Sequence, residues 1–408
     1  MLYAANVWAS KAQTVQIRNK LDRVTRMFGL VISKSHRTVS LVSCSILAGI
    51  IPLDLRALEA RELYEVKKGR ELKYLPGREI ETPMSWTSLP HPADRVTRDF
   101  GIVESEEDLD QIKHGRTTIY TDGSKLEGKV GAALSVWKED VEVRHRLLPL
   151  ASYCSVYQAE LLAIRGAVLF MIADKNHKQA LILSDSMAAL ESLRNPNNLH
   201  PIVAEGRTHI KTLEDSGGTI DFYWVKAHIG IAGNERADEL AKRAALRVKT
   251  APAYDRFPSS LAKHLIRLST IDKWQRRYTA AETGATTKMF FPKVDEAYKT
   301  LRKIGKIDNI RSQILTGHGG FRKYLFRFKL APNPYCACDN VSEESIEHIL
   351  TECPRFATLR YNCEHSMGRD INVTNLAELI KDKNCRDYFL NFAINVTRLA
   401  SKANGSKL

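Results

Sequence analysis

The chain has 408 residues, a length typical of two to four domains, and 44% of its residues are hydrophobic. Charged residues make up 26%, close to the usage of globular proteins, which argues against a disordered chain. Lys and Arg number 61 against 47 Asp and Glu, and the net charge of +14 favours a polyanionic partner. The most apolar stretch, residues 41–55, is too short and too polar to span a membrane, so we expect it to be buried core and expect no membrane partner.

The cysteines and the N-terminus indicate the compartment. The first residues lack a charged start followed by a long apolar run, so no secretory signal is predicted and we expect an intracellular protein. The seven cysteines are scattered except for Cys336, Cys338 and Cys353, which argues against a disulfide framework and for reduced thiols.

The two ends of the chain differ in texture from its middle. Residues 1–70 are predicted to be helical, with apolar residues at helical spacing between Val24 and Ile32. Residues 71–114 contain four prolines and an acidic run, which predicts an irregular linker. Residues 248–334 are strongly basic and helical in texture, and residues 335–408 contain the cysteine cluster.

Residues 115–247 are predicted to form an α/β domain. Alternating apolar residues predict three consecutive strands at 118–120, 131–137 and 141–147. Ser155 and Gln158 have the spacing of a capping box at the start of a helix. The pattern then predicts a strand at 180–184, helices at 187–193 and 202–213, a strand at 219–225 and a closing helix at 234–247.

Four acidic residues occupy positions from which a folded chain could build a metal site. Asp122 and Asp185 end predicted strands, Glu160 lies early in the first helix of the domain, and Asp238 lies in the closing helix. Phosphodiester hydrolysis with two Mg²⁺ ions needs hard oxygen ligands, and clustered carboxylates repel one another without a cation. A single Asp at a strand end is more often a turn former or helix cap, but four acids in such contexts favour a metal site.

The motifs around these acids resemble type-1 ribonuclease H in their order along the chain. They are Thr121-Asp122-Gly123-Ser124, Gln158-Ala159-Glu160-Leu161, Ser184-Asp185-Ser186, Trp224-Val225-Lys226-Ala227-His228-Ile229-Gly230 and Gly233-Asn234-Glu235-Arg236-Ala237-Asp238. The resemblance implies a ribonuclease H-like fold with a mixed five-stranded sheet flanked by helices, and endonucleolytic cleavage of the RNA strand of RNA–DNA hybrids. It also implies that Asp122, Glu160, Asp185 and Asp238 ligate two Mg²⁺ ions, with Mn²⁺ as a substitute.

Further site residues follow from the same motifs. His228 would be a mobile-loop histidine that assists proton transfer or product release, although a loop histidine taken alone is more often simply solvated. Gly123 and Ser124 are expected to contact phosphates, and Gln158 to reach the minor groove. Asn234 is predicted to be the N-cap of the closing helix and is counted among the substrate-binding residues.

Near the C-terminus, Cys336, Cys338, His348 and Cys353 provide a Cys3His set, the donor types of a structural zinc site. The alternative is a group of buried or free thiols, because one residue between the first two cysteines is fewer than usual. Residues 315–319 and 347–354 resemble the tail of non-LTR retrotransposon polyproteins of the Jockey and R1 kind. In those proteins the tail is a nucleic-acid-binding cysteine–histidine module.

The N-terminal residues resemble the end of a reverse transcriptase thumb, at Tyr3 to Trp8 and around residues 47–53. The chain thus resembles the C-terminal part of such a polyprotein without the polymerase palm, and we expect it not to synthesise DNA alone. An upstream reverse transcriptase is an expected partner and the nucleus an expected location, while the oligomeric state stays open.

Two other functions compete with an active hybrid nuclease. A decayed element remnant would bind nucleic acid without cutting it. An integrase or transposase would share the fold class, but its usual acids are three with a final Glu, whereas here Glu160 comes second and a fourth acid follows.

Overall fold

A computed structural model describes residues 2–71, 77–174, 179–247 and 251–405. The chain divides into two compact units. The first, here called the helical unit, comprises Met1–Glu62 and Leu265–Leu408, and the second, the sheet unit, comprises Leu63–His264.

Helices and strands are numbered in chain order. The α-helices are α1 Ala5–Trp8, α2 Val15–Ile32, α3 Leu41–Leu47, α4 Leu53–Lys67, α5 Glu106–Lys113, α6 Val156–Ala173, α7 Met187–Arg194, α8 Pro201–Asp215, α9 Ala232–Ala245, α10 Ser259–Ala280, α11 Ala285–Phe290, α12 Val294–Ile304, α13 Asn309–Thr316, α14 Arg322–Arg327, α15 Ile346–Thr351, α16 Ala357–Met367, α17 Leu376–Lys381 and α18 Lys383–Ala403. The strands are β1 Phe100–Val103, β2 Thr117–Leu126, β3 Lys129–Lys138, β4 Val141–Leu150, β5 Gln179–Ser184 and β6 Thr219–Val225. Short 3-10 helices lie at Lys11–Gln13, Trp86–Ser88, Pro92–Asp94 and Pro354–Phe356.

The sheet unit is built on a mixed sheet with strand order β1-β6-β5-β2-β3-β4. Strands β2, β3 and β4 form the antiparallel meander that the alternation predicted, and β2, β5, β6 and β1 run parallel. In the register of β2 against β5, Thr121 pairs with Ser184, so the residues that follow both positions lie at one edge of the sheet. This α/β arrangement confirms the ribonuclease H-like fold class that the sequence predicted.

The sheet has six strands rather than five, because the predicted linker contributes β1. This strand has only four residues and contains Gly101, where an added Cβ would lie 2.4 Å from the Tyr223 ring. A glycine is needed there for close approach to β6, and it hides the strand from a propensity-based prediction. Part of the acidic run that indicated a linker forms the first turn of α5. Ser105 and Asp108 make a capping box there, and the negative charges interact favourably with the positive end of the helix dipole.

Helices cover both faces of the sheet. One face packs on α6, α7 and α8 through residues such as Ile119 and Ile182, and the other packs on α5 and α9 through Tyr120 and Leu183. Helix α6 is by length and composition apolar enough to cross a membrane, yet 61% of it is buried in the protein. It is the central helix of this core, and its start carries the predicted capping box of Ser155 and Gln158.

The helical unit joins the two ends of the chain in one core. Ile46, Leu47 and Leu55 from the N-terminal segment pack with apolar residues of α10 to α18, so residues 41–55 are buried core as predicted. Asp54 is fully buried and accepts two hydrogen bonds from Arg277, at 2.9 and 2.6 Å. Buried charges are tolerated when they are paired in this way.

Candidate active site and Cys/His cluster

Three acidic side chains converge at one edge of the sheet. Asp122 lies in β2, Asp185 directly follows β5, and Glu160 lies in the second turn of α6. Each offers a carboxylate oxygen, and these three atoms lie within 4.8 Å of one another. Gly123 permits this convergence, because a Cβ there would lie 2.5 Å from the backbone nitrogen of Glu160. The chain thus needs glycine where α6 starts against β2.

Burial and mutual repulsion disfavour negative charge in this cluster. Burial, and after it the charges of the neighbouring Asp185 and Asp238, raise the pKa of Asp122 to about 7. The pKa of Glu160 is raised well above its ordinary value by burial and then by Asp122 and Asp185. Burial also raises the pKa of Asp185. One oxygen of Asp122 (Oδ2) and one of Glu160 (Oε2) are buried and have no hydrogen-bond partner among the residues that the structure describes.

Such a donor set fits a hard divalent cation. Carboxylate oxygens are the ligands of Mg²⁺ and Mn²⁺, and a cation would offset both the repulsion and the unpaired oxygens. The three clustered acids are therefore a candidate divalent-metal site.

Asp238, the fourth predicted ligand, stands outside this group of three. Its Oδ2 lies 2.5 Å from Nζ of Lys242, one turn further along α9. The charge of Asp238 nevertheless raises the pKa of both Asp122 and Asp185, so the carboxylate is close to the cluster. The structure thus brings three of the four acids together and places the fourth in an adjacent ion pair.

Asn234 contacts the acidic cluster, and its predicted role as an N-cap is wrong. Helix α9 begins at Ala232 with Ile231 as its N-cap residue, which places Asn234 inside the first turn. Its side chain is buried and hydrogen-bonds Asp185, which lowers the pKa of that carboxyl against the effect of burial. Asn234 Oδ1 is also buried without a partner. Asn234 and Asp238 are four residues apart, which puts both side chains on one face of α9. This spacing is the sequence signal that could have placed Asn234 beside the acids.

His228 lies in the loop between β6 and α9. It is exposed and has a φ of 58°, and Gly230 two residues on has a φ of 89°. A positive charge on His228 would lower the pKa of Asp185, which places the imidazole near the cluster. The loop starts from a fixed point, because Trp224 Nε1 donates to the backbone oxygen of Asp185 at 2.9 Å.

Gln158 has no surface to offer a substrate. It is 1% exposed, and its amide nitrogen donates to Glu81 at 3.0 Å and to the backbone oxygen of Arg256 at 3.3 Å. Its Oε1 accepts from the backbone of Ser155 at 2.9 Å. The predicted groove contact is therefore replaced by a structural role, because the capping box uses the side chain inward.

The other two predicted substrate residues differ from each other. Gly123 is buried, and its backbone N–H donates toward the Asp122 and Glu160 carboxylates, lowering both pKa values against the effect of burial. The backbone of Gly123 therefore contributes to the acidic cluster, and its predicted phosphate contact stays a prediction. Ser124 is half-buried and stays available to a ligand.

In the helical unit, the predicted Cys3His set does come together. One ligand atom each from Cys336, Cys338, His348 and Cys353 lies within 4.8 Å of the others. The Sγ atoms of Cys336 and Cys353 are 3.6 Å apart, and Cys338 Sγ is 3.3 Å from His348 Nε2. All seven cysteines of the chain are free thiols.

The backbone explains how the short Cys-x-Cys spacing works. The N–H of Cys336 donates to the Ser342 oxygen at 2.7 Å, and the N–H of Asn340 donates back to Cys336 at 2.9 Å, which closes a tight turn around Cys338. His348 lies in the first turn of α15, and the N–H of Cys353 donates to its oxygen at 2.8 Å. The donor types and their proximity fit a tetrahedral zinc ion.

Residues 114–246 match the RNase H family model. A Pol polyprotein from a type-1 retrotransposable element R1 of Nasonia vitripennis is 36% identical over 110 residues, which are 26% of this chain and 27% of the relative. A putative 115 kDa protein in the type-1 retrotransposable element R1DM of Drosophila melanogaster is 37% identical over 91 residues, 22% of this chain and 9% of the relative. The chain thus matches about a quarter or less of the length of these curated relatives.

Among solved structures, an N-terminal RNase H domain from Mycobacterium tuberculosis, studied as a fusion with maltose binding protein, is similar to this chain. It is 19% identical, and the match covers 32% of this chain and 93% of that one with a TM-score of 0.28.

Proposed function

Since residues 114–246 form a ribonuclease H domain like that of R1-type retrotransposon polyproteins, we propose that the chain cleaves the RNA strand of RNA–DNA hybrids endonucleolytically by a two-metal mechanism. The carrying observation is the convergence of Asp122, Glu160 and Asp185 with two buried, unpaired carboxylate oxygens. An acid cluster of this kind costs free energy without a cation, which favours a metal-binding role over a structural one.

The proposed ligands of two Mg²⁺ ions, or of Mn²⁺ as a substitute, are these three acids and Asp238. Asp238 would join them by leaving its ion pair with Lys242, which is partly exposed and therefore weak. When bound, the ions would activate water and stabilise charge on the scissile phosphate.

The remaining roles belong to residues of the loop and helix around the acids. Asn234 holds the Asp185 carboxylate through its side-chain hydrogen bond. His228, exposed on a glycine-bounded loop, is placed to exchange a proton with the substrate or to assist product release. Ser124 and basic surface residues would contact the hybrid backbone.

Cleavage of a labelled RNA–DNA hybrid in Mg²⁺ tests this function against a silent nucleic-acid-binding remnant. We expect hybrid cleavage by the full chain, and loss of about 10³-fold or more in Asp185→Asn, because removal of a ligand costs several kcal/mol of transition-state stabilisation. The variant should still bind hybrid. Binding without cleavage by the wild-type chain would identify the remnant instead.

A second proposed function belongs to the helical unit, where a zinc ion in the Cys/His cluster would stabilise a contact with unpaired nucleic acid. The specific observation is a run of exposed aromatic rings next to basic residues: Phe326 and Phe328 are 46% and 39% exposed beside Arg327 and Lys329. Rings that stack bases and cations that meet phosphates are the requirements of single-strand binding.

Fluorescence anisotropy with a single-stranded oligonucleotide tests this second function. We expect Phe326→Ala with Phe328→Ala to weaken binding at least tenfold, since one stacked base contributes about 1 to 3 kcal/mol. Tyr361→Ala, which removes a more exposed ring (66%) elsewhere in the same unit, is the control. Equal affinities of the two variants would remove the assignment.

The biological setting is proposed by analogy with the relatives. The module would remove template RNA alongside an upstream reverse transcriptase, in the nucleus. Co-purification with that polymerase and imaging of a tagged chain are the direct checks.

A further inference from the structure

Two segments of the sheet unit lie outside the RNase H family match, and they pack against the rest of that unit and against each other. We call residues 77–84 and 251–258 the clasp. The N–H of Glu81 donates to the Phe257 oxygen at 2.8 Å, and the N–H of Phe257 donates to the Glu79 oxygen at 2.7 Å. The Ile80 and Phe257 side chains on this bridge are buried. The clasp is therefore part of the folded unit rather than a tether.

The clasp is also fastened to the end of the meander. The N–H of Ala151 donates to the Tyr254 oxygen at 3.0 Å, and the N–H of Ala253 donates to the Pro149 oxygen at 2.7 Å. Residues 150–155 lead directly into α6, so the clasp lies against the start of the helix that carries Glu160.

Glu81 is the charged centre of this contact. It is 5% exposed, and its carboxylate accepts from Gln158 Nε2 at 3.0 Å and from the hydroxyl of Tyr254, while His200 Nε2 lies 2.9 Å away. Gln158 is the third residue of α6, and His200 precedes α8. A carboxylate close to two helix starts is favoured by the dipoles of both helices.

We infer that Glu81 is a positioning residue for the acidic site: by holding Gln158, it fixes the first turn of α6 and hence the carboxylate of Glu160. Only one residue, Ala159, lies between Gln158 and Glu160. The packing leaves little freedom there, because an added Cβ at Gly123 would lie 2.5 Å from the Glu160 nitrogen. A loosened first turn would move the ligand away from Asp122 and Asp185.

This inference rests on the proposed metal-binding role of the cluster, and calorimetric titration of the full chain with Mn²⁺ tests it. In Glu81→Ala, Tyr254 loses its hydrogen bond to Glu81 and Gln158 keeps only the longer bond to the Arg256 oxygen, at 3.3 Å. We expect the dissociation constant for Mn²⁺ to rise at least tenfold, as for other groups that orient metal ligands. In Glu81→Gln, which keeps an acceptor oxygen of the same shape, we expect a rise of less than threefold. The KM for hybrid should not change, and saturating Mg²⁺ should restore the cleavage rate of Glu81→Ala.

A matched control separates positioning from loss of stability. Leu109→Ala removes a buried side chain from α5, on the other face of the sheet. If it lowers Tm as much as Glu81→Ala and weakens Mn²⁺ binding as much, Glu81 is merely structural. An unchanged Mn²⁺ affinity in Glu81→Ala would equally overturn the inference. Absence of Mn²⁺ binding by the wild-type chain would instead refute the proposed function.

A second measurement needs no metal. Hydrogen exchange over residues 155–162 should be faster in Glu81→Ala than in Leu109→Ala. If Glu81→Ala does not fold, Tyr254→Phe, which removes only one donor to the Glu81 carboxylate, takes its place with a smaller expected effect. Equal exchange in this variant and the control would also contradict the inference.

Discussion

The acidic cluster of the sheet unit and the Cys/His cluster of the helical unit are both candidate metal sites, but they are supported differently. The oxygens of Asp122 and Glu160 are buried and unpaired, and their neighbours are like charges. The thiols, in contrast, lie in a network in which Arg355 donates to Cys336 Sγ at 3.5 Å and to the fully buried Glu344 at 2.9 Å.

The difference indicates what each site does. A cluster with unpaired oxygens and an exposed loop beside it suits metal ions that must also meet a substrate. Four protein ligands with surrounding hydrogen bonds leave no coordination position open, as in a structural zinc site. The comparison predicts that disturbing the thiols costs stability, whereas disturbing the acids costs activity.

The largest expected effect tests the structural half of this comparison. Cys353→Ser removes one zinc ligand, and because zinc bound to four protein ligands contributes on the order of 10 kcal/mol to folding, we expect the helical unit to unfold at a much lower temperature. Native mass spectrometry should show one zinc in the wild-type chain and none in the variant.

Cys363→Ser is the control, because Cys363 is also buried but lies outside the cluster. Similar melting curves for the two variants, or a wild-type chain that melts alike with and without a chelator, would remove the structural zinc site.

The next effect tests the functional half. Asn234→Ala removes the hydrogen bond to Asp185. We expect the Mg²⁺ concentration needed for half-maximal hybrid cleavage to rise ten- to hundredfold, the range typical of groups that orient metal ligands. The Mg²⁺ concentration at half-maximal rate measures it. Asn234→Asp should be worse, because it adds a like charge to the cluster. A variant with wild-type Mg²⁺ dependence would show that Asn234 does not orient Asp185.

A smaller effect concerns Asp122, whose carboxylate serves the proposed metal binding but destabilises the metal-free fold. The pKa of Asp122 is raised from 3.8 to about 7, so the folded chain binds more protons than the unfolded chain between these values. Without metal, Asp122 therefore costs nothing below pH 4, destabilises the fold increasingly between pH 4 and 7, and exerts its full, constant cost above pH 7. In a chelator, we expect Asp122→Asn to stabilise the sheet unit by about 2 kcal/mol at pH 8 and by nothing measurable at pH 4.

Thermal melts of both proteins across this pH range provide the measurement. Saturating Mg²⁺ should reverse the order at pH 8, because the cation stabilises only the protein with all its ligands. A variant less stable than wild type in chelator at pH 8 would show that burial and the neighbouring carboxylates do not disfavour the charged form of Asp122.

Local sequence signals predicted most elements of the sheet unit and the convergence of its acids. Alternation predicted β6 at its observed bounds, and the spacing of Ser155 and Gln158 predicted the start of α6. The acids could be placed together because parallel strands bring their following residues to one edge. These inferences needed only periodicity and strand direction.

Partners supplied from distant parts of the chain could not be predicted. Nothing near Gln158 in sequence indicates that Glu81 accepts its hydrogen bond, and nothing near Asp238 distinguishes a metal ligand from the ion pair with Lys242. Helix α2 shows the same limit: its apolar spacing predicted the helix, but Met27 and Val31 are exposed at 56% and 73%. Periodicity identifies a helix face without identifying what covers it.

The smallest effect concerns the boundary of the acidic cluster, where Asp238 is shared between Lys242 and the proposed metals. In Lys242→Gln, Asp238 is released from a partly exposed ion pair that contributes only a fraction of a kcal/mol. We expect the Mg²⁺ concentration at half-maximal cleavage to fall about twofold, since that free energy no longer opposes metal binding. Arg243→Gln is the matched control, because it removes the same charge from the next residue of α9, where the partner is Glu239 at 3.9 Å. If both variants shift the Mg²⁺ concentration at half-maximal cleavage alike, only the net charge matters. The assignment of Asp238 as a metal ligand would then lose its support.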